Sequence, residues 1–81
     1  MVAKIDVVLK RGLLDAQGKT VKSALDSLGF KGINGVRIGK HIEIELSARS
    51  VASAKKEIDR MCRKLLANPV VETYRIEMRK A

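Results

Sequence analysis

The sequence predicts an α+β domain of the ferredoxin-like, split βαβ type, in which two helices cover one face of a four-stranded antiparallel sheet. The prediction comes from two kinds of hydrophobic period. Two stretches with the 3.6-residue period of amphipathic helices alternate with stretches in which every second residue is apolar, as in half-buried strands. The order is therefore strand, helix, strand, strand, helix, strand. We expect a single domain that spans residues 1–81.

The clearest strand signal lies in the middle of the chain. Residues 42–46 alternate strictly between aliphatic and acidic side chains, and in residues 36–38 two aliphatic side chains flank a basic one. A three-residue loop of Gly39, Lys40 and His41 would place the apolar residues of both arms on one face. A β-hairpin with this loop at its tip is therefore predicted.

Two further strands, near the ends of the chain, complete the predicted sheet. Apolar and polar residues alternate in residues 4–10, and in residues 70–79 the inward set is Tyr74, Ile76 and Met78. In a split βαβ fold these two strands lie side by side. The expected spatial order is therefore 4-1-3-2.

Each predicted helix has a polar residue at its start. Asp15 is expected to cap the first helix by accepting a hydrogen bond from the amide of residue 17 or 18, and Gly29 to end it. A serine, at position 47 or 50, is expected to cap the second. The apolar stripes that should face the core are Val21, Ala24, Leu25 and Leu28 on the first helix, and Val51, Ala54, Ile58, Met61, Cys62 and Leu65 on the second.

The formal net charge of +8 suggests a nucleic-acid partner, because Lys and Arg bind phosphates. RNA-binding domains of this architecture carry stacking aromatic side chains on two strands of the open sheet face. The equivalent residues here are Asp6, Val8, Glu43 and Glu45, which cannot stack on bases. We therefore expect no nucleic-acid partner. The basic face of the second helix is either a solvated surface or a docking surface for an acidic protein.

The sequence offers no catalytic, cofactor-binding or metal-binding set of residues. The one histidine, His41, and the one cysteine, Cys62, are far apart in the sequence, so they form no metal-ligand cluster. Cys62 falls on an apolar stripe and is expected in the core. His41 is most simply a solvated turn residue. The glycines lack the spacing of a phosphate-binding loop.

The N-terminal segment and the length of the apolar runs allow a prediction of the cellular location. No apolar run approaches the ~20 residues that a membrane-spanning helix needs. The first residues also lack the apolar block of a signal peptide. We therefore expect a cytoplasmic protein without a membrane partner.

Three segments stand out for their composition and order: Leu13-Leu14-Asp15-Ala16-Gln17-Gly18-Lys19, Val36-Arg37-Ile38-Gly39-Lys40 and Leu65-Leu66-Ala67-Asn68-Pro69-Val70. Together they resemble the signature segments of the PurS family, the small subunits of bacterial and archaeal phosphoribosylformylglycinamidine synthase. The likeness covers essentially the whole chain. One departure is Ala16, where the family usually has a proline at the first helical position, and this costs only a little preorganisation.

The resemblance implies a place in an ATP-dependent ligase complex of purine biosynthesis. In that complex the glutaminase PurQ releases ammonia, and PurL uses ATP and Mg²⁺ to convert formylglycinamide ribonucleotide to formylglycinamidine ribonucleotide. The family implies that the small subunit has no active site or cofactor of its own, forms a homodimer or higher oligomer, bridges PurQ and PurL, and helps ammonia to pass. Candidate subunit-contact residues are Asp15, Gln17, Gly18 and Lys19 at the helix start, Arg37, Gly39, Lys40 and His41 at the hairpin tip, and Asn68 and Pro69 before the last strand.

Each of these groups also has a purely structural interpretation, as a helix cap, a turn and a helix stop respectively. A different class of function fits the same strand order. ACT-like regulatory modules share it and bind a small effector near the first strand–helix loop, which here would involve Gly12 and Asp15.

Overall fold

The computed structural model of the protein describes residues 1–80. Its elements, in chain order, are β1 (Val2–Leu9), α1 (Ala16–Ser27), β2 (Gly39–Glu45), α2 (Val51–Met61) and β3 (Glu72–Arg79), and a π-helical turn, Cys62–Leu66, continues α2. The three strands form one antiparallel sheet in the order β2-β1-β3. The first strand of the chain is therefore the central strand of the sheet.

The hydrophobic core lies between β1 and α2. Along β1 every second side chain points to the helix, and along α2 the core residues are four positions apart, as the two periods require. The expectation that Cys62 is a core residue is confirmed, and burial raises the pKa of its thiol. The buried side chains of these elements are Ala3, Ile5, Val7, Ala54, Ile58 and Cys62.

The π-helical turn decides which of two adjacent leucines reaches the core. The Ala67 amide donates to the Cys62 carbonyl, five residues back, with an N–O distance of 2.9 Å. Because this turn is wider than an α-helical one, Leu66 packs against the core and Leu65 is 82% exposed. The predicted inward position of Leu65 is wrong for this reason.

The predicted four-stranded sheet is also wrong. Three strands form in the described part of the chain, and residues 31–38 belong to none of them. Gly39, Lys40 and His41 are not a hairpin tip, since they open β2 and pair with residues 6–8 of β1. The three strands that do form keep the predicted relative order.

Contacts with other segments hold residues 36–38 out of the sheet. The backbone amide of Ile38, which a hairpin would use, donates to Asp15 Oδ2 at 2.8 Å. The guanidinium of Arg37 donates to the backbone carbonyl of Leu9. The alternation of apolar and polar residues predicted a strand here, but these interactions fix the segment against the start of α1 instead.

Helix α1 projects from the sheet, so the predicted layer of two helices on one face is wrong as well. Its ends are as predicted, with Asp15 as the N-cap and Gly29 in a left-handed conformation (φ 93°) after the last turn. However, α1 makes only marginal contacts with the sheet or with α2, and Leu28 is 74% exposed. The radius of gyration, 16.0 Å, exceeds the value of about 12 Å for a compact domain of this length.

The outer face of the sheet is a ladder of alternating charges. Cross-strand neighbours of opposite charge stabilise a sheet, whereas like charges directly opposite destabilise it. The register of the strands satisfies this rule, because each charged residue of β1 lies between two residues of opposite or complementary charge. Lys4 pairs with Glu43 and Glu77, and Asp6 pairs with His41 and Arg75.

His41 lies within this ladder rather than in a solvated turn. Its Nδ1 is 2.7 Å from Asp6 Oδ1, and its Nε2 is 3.1 Å from Glu43 Oε2. A neutral imidazole could donate from only one of these nitrogens, whereas the imidazolium donates from both. The hydrogen bonds to Asp6 and then Glu43 therefore raise the pKa of His41, and the bond to His41 lowers the pKa of Asp6.

The contribution of His41 to stability is expected to depend on pH. Its pKa is raised in the folded chain, so its carboxylate bonds stabilise the fold fully below the unfolded value of 6.5, and this stabilisation is lost as pH rises through the folded pKa. The melting temperatures of the wild type and His41→Gln should thus differ more at about pH 6 than at about pH 9. A difference that grows with pH would contradict the assignment, and Lys64→Gln, away from the sheet, serves as a control.

Candidate functional site

Two adjoining clefts lie on either side of Asp15. The larger, of about 390 Å³, lies between the end of β1, the start of α1 and residues 35–37. The smaller, of about 220 Å³, lies between β1, the start of β2 and Glu72 of β3. Asp15 and Leu9 line both clefts, so the two clefts are neighbours.

The structure brings together two of the three predicted groups of contact residues. They meet because the chain before β2 passes beside the first turn of α1. His41 is the exception in its group, since its side chain lies on the outer face of the sheet. The larger cleft is lined by Asp15, Gly18, Lys19 and Arg37, and the smaller by Asp15, Gln17, Gly39 and Lys40.

The Asp15 carboxylate holds the two groups in place. Its Oδ1 accepts from the amide of Gly18 and its Oδ2 from the amide of Ile38, both at 2.8 Å. These two bonds hold the pKa of Asp15 below its usual range, and the bond from Gly18 has the larger effect. The predicted N-cap is confirmed, with Gly18 as the donor. The second bond adds a tertiary role that the sequence did not reveal.

Two glycines of the predicted site are required by close backbone approaches. A Cβ at Gly18 would lie 2.2 Å from the carbonyl oxygen of Val36, and one at Gly39 would lie 2.3 Å from that of Val7. These distances are too short for any non-bonded pair of atoms, so only glycine fits without a shift of the backbone. Both glycines therefore shape the clefts through backbone packing.

The larger cleft is strongly basic. Sequence reasoning selected two of its cationic residues but missed three others, which come from the end of β1, the following loop and the second turn of α1. The excess of basic residues in the loops was visible in the sequence, but their grouping depends on how β1 and α1 meet. The five cationic side chains are Lys10, Arg11, Lys19, Lys22 and Arg37.

The third predicted group, Asn68 and Pro69, lines neither cleft. Asn68 Oδ1 accepts from the amide of Val70 at 3.0 Å, and the Asn68 carbonyl accepts from the amide of Glu72 at 2.7 Å. The Glu72 carboxylate in turn accepts from the Asn68 amide at 2.7 Å. Asn68 is thus the centre of the turn that leads into β3, just after the π-helical turn ends at Leu66, which agrees with its structural interpretation as a helix stop.

Outside the clefts, a hydrogen bond between the titratable side chains of Tyr74 and Asp59 joins β3 to α2. The Tyr74 hydroxyl donates to Asp59 Oδ1 at 2.5 Å, and this bond is the main reason why the pKa of Tyr74 is raised. Asp59 also forms an ion pair with Arg63, at 2.9 Å. All three residues bind within the protein, so the cluster serves the packing of the helix on the sheet.

Residues 1–80 contain neither a metal-ligand cluster nor a membrane-spanning helix. No group of three or more His, Cys, Asp and Glu side chains in that range is placed to hold a metal ion. Nor does any helix formed by these residues have the length and apolar character that crossing a membrane requires. The surface around Asp15 is the candidate functional site because two of the three predicted groups of contact residues meet there.

Substitution of Gly18 should test the close approach that forms the site. Gly18→Ala is expected to lower the free energy of unfolding by about 1–3 kcal/mol, although alanine normally favours a helix, because the Cβ would displace the Val36 backbone. Gly35→Ala is the control, since its Cβ would meet open space. Equal denaturant midpoints for Gly18→Ala and the wild type would contradict the geometry.

Known proteins of one family resemble this chain over almost its whole length. The family described as PurS, phosphoribosylformylglycinamidine (FGAM) synthase, matches residues 2–80. The PurS subunit of Bacillus subtilis is 47% identical over 77 residues, covering 93% of this chain and 88% of the relative. The crystal structure of Methanocaldococcus jannaschii PurS superposes with a TM-score of 0.90 at 38% identity, covering 99% of this chain and 96% of that chain. For the Thermotoga maritima PurLQS structure, the TM-score is 0.87 at 31% identity, with 94% and 93% covered. The chain therefore belongs to the PurS family and is a subunit of phosphoribosylformylglycinamidine synthase.

Proposed function

We propose that this subunit acts without chemistry of its own, by joining the glutaminase PurQ to the synthetase PurL and helping ammonia to pass between them. The observation that carries the proposal is the full-length likeness to a chain of the Thermotoga maritima PurLQS structure. In that structure the PurS subunit occurs together with its two partners. This chain has the same fold and the same extent.

The surfaces of the chain support a contact role. The two clefts around Asp15 are lined by candidate contact residues from α1 and from the start of β2. Neighbouring clefts lined by polar and apolar groups suit recognition of a partner protein. We assign the contact residues Asp15, Gln17, Gly18, Lys19, Arg37, Gly39 and Lys40 to this surface. His41, Asn68 and Pro69 lie outside it and contribute through the fold.

ATP and Mg²⁺ belong to the partner subunits in this proposal. The related Thermotoga maritima subunit is assigned to an enzyme of class 6.3.5.3, a glutamine-hydrolysing ligase. The phosphoryl chemistry of such a ligase would take place on PurL, and the small subunit would bind neither ATP nor Mg²⁺. The complex would work in the cytoplasm, where enzymes of purine biosynthesis generally act.

Self-association of the chain is part of the same proposal. Helix α1 makes only marginal contacts within the protomer, and Phe30, just beyond the helix, is 57% exposed. On the inner face of β2, Ile42 and Ile44 are only partly buried. Exposed apolar surfaces of this kind are typical of contacts between subunits. A second copy that covers them would give a homodimer or a higher oligomer.

Reconstitution with the partner subunits tests the main proposal. Addition of the chain to PurL and PurQ should raise glutamine-dependent synthesis of formylglycinamidine ribonucleotide by at least about tenfold, a change of ~1.4 kcal/mol in the barrier. Ammonia-dependent synthesis by PurL should change much less, because it needs no ammonia transfer. ADP release measures both rates. Equal glutamine-dependent rates with and without the chain would contradict the proposal.

Sedimentation of the isolated chain tests self-association. The wild type should sediment as a dimer or larger species, and Leu28→Ser should shift it towards the monomer, because it removes apolar surface from α1. Leu65→Ser, an equally exposed position on the π-helical turn, is the matched control. A monomeric wild type at micromolar concentration would contradict this part of the proposal.

A further inference from the structure

The larger cleft holds positive charge that is poorly compensated. Its one carboxylate, Asp15, has both oxygens bound to backbone amides. Lys22 forms an ion pair along α1, whereas Lys10, Arg11 and Lys19 take part in none of the ion pairs found among residues 1–80. The ammonium and guanidinium groups of Lys10, Arg11 and Lys19 are therefore available to an outside partner.

Other basic surfaces of the chain carry acidic side chains among the cationic ones. On α2 the Arg60 guanidinium is paired with Glu57 at 3.1 Å, and that of Arg63, in the π-helical turn, with Asp59 at 2.9 Å. The outer face of the sheet alternates in sign from strand to strand. The lysines of α2 and of the π-helical turn form no ion pair among residues 1–80, but Glu57 and Asp59 are interspersed with them. The larger cleft differs because its lining contains one carboxylate, that of Asp15, and both oxygens of that carboxylate are already hydrogen-bonded.

Two leucines lie among these cationic side chains. Leu13 and Leu14 line the cleft, and Leu14 is 75% exposed. One exposed leucine on a surface is ordinary, but two adjacent ones in a concave basic surface are not. A mixture of apolar and cationic groups matches a protein segment that carries both acidic and apolar side chains.

A small phosphorylated ligand fits the same surface less well. Phosphates bind at helix N-termini through free backbone amides. At the start of α1 that position is filled by the Asp15 carboxylate, which holds the Gly18 amide, while the Lys19 amide is bound to the Asp15 carbonyl at 2.9 Å. A phosphate would have to approach an ionised carboxylate and would leave the leucines uncovered.

We propose that the cleft formed by Lys10, Arg11, Leu14, Lys19 and Arg37 receives an acidic, partly apolar segment of a partner subunit of the synthase. The assignment rests on the proposed function, because it takes the occupant to be PurL or PurQ. The cations attract and orient the acidic side chains, and the leucines exclude water from the contact.

Charge reversal within the complex tests this assignment. The affinity of the full-length chain for PurL and for PurQ is measured by calorimetry at low and high salt. Arg11→Glu combined with Lys19→Glu should weaken binding to one partner by at least about tenfold and should flatten the salt dependence. The matched control combines Arg49→Glu with Lys64→Glu, which changes the net charge equally outside the cleft and should leave affinity within about twofold.

The apolar part of the contact is tested at Leu14. Leu14→Ser should weaken binding at both salt concentrations, whereas Leu65→Ser should not. A photo-crosslinking side chain placed at position 14 should label a partner peptide rich in Asp and Glu. Labelling of a neutral or basic peptide would overturn the proposal.

Several outcomes separate this inference from the proposed function. If the wild-type chain binds both partners and supports glutamine-dependent synthesis, but the Arg11/Lys19 variant binds equally well, the cleft assignment fails alone. If the wild type binds neither partner, the proposed function fails. If ATP or inorganic phosphate raises the melting temperature of the wild type but not of the Arg11/Lys19 variant, the occupant is a small anion and the assignment is overturned. A change of oligomeric state in that variant, without loss of partner binding, would assign the cleft to a second copy and overturn it as well.

Discussion

The two oxygens of the Asp15 carboxylate bind backbone amides that are far apart in the sequence, at Gly18 and Ile38. Hydrogen bonds to an ionised acceptor are roughly twice as strong as neutral ones, and this carboxylate makes two of them at ideal length. One bond begins α1 and the other fixes the chain just before β2. The position of the whole segment between helix and strand depends on this side chain, together with the absence of a Cβ at Gly18.

This constraint also explains the unusual shape of the protomer. With the segment before β2 held against α1, residues 1–80 form no fourth strand and α1 does not fold back onto the sheet. The chain consequently presents apolar surface that a monomeric split βαβ domain would bury. A subunit that works in an assembly can tolerate such surface, because its partners cover it. The ACT-like alternative was based on the predicted four-stranded order, whereas residues 1–80 form a three-stranded sheet.

Charge is distributed differently in the sheet and at the start of α1. Within the sheet, strand pairing places opposite charges side by side, so the many charged residues of β1, β2 and β3 contribute to stability. At the start of α1 the cationic residues come from segments that meet only through the fold, and the nearby carboxylate is already bound. The net charge of +8 therefore says less about binding than the local ratio of cationic to acidic side chains on each surface does.

Sequence patterns predicted correctly those features that depend on neighbours in the chain. The alternation in β1 and β3, the N-cap at Asp15, the end of α1 at Gly29 and the buried Cys62 all follow from local period and residue type. The signature segments were also sufficient to indicate the family. The wrong predictions share one cause, because each relied only on the spacing of apolar residues along the chain. They concern the strand at Ile38, the inward position of Leu65 and the packing of α1 on the sheet.

The sequence by itself thus determined the family, the central strand and the helix boundaries, because these follow from residue type and short-range periodicity. Only the tertiary structure decided the number of strands, the direction of α1 and the grouping of cationic residues around Asp15. An alternating segment becomes a strand only if its backbone amides are free to pair. The amide of Ile38 is not free, because it donates to the carboxylate of Asp15, 23 residues earlier in the chain. A local sequence pattern cannot predict such a long-range bond.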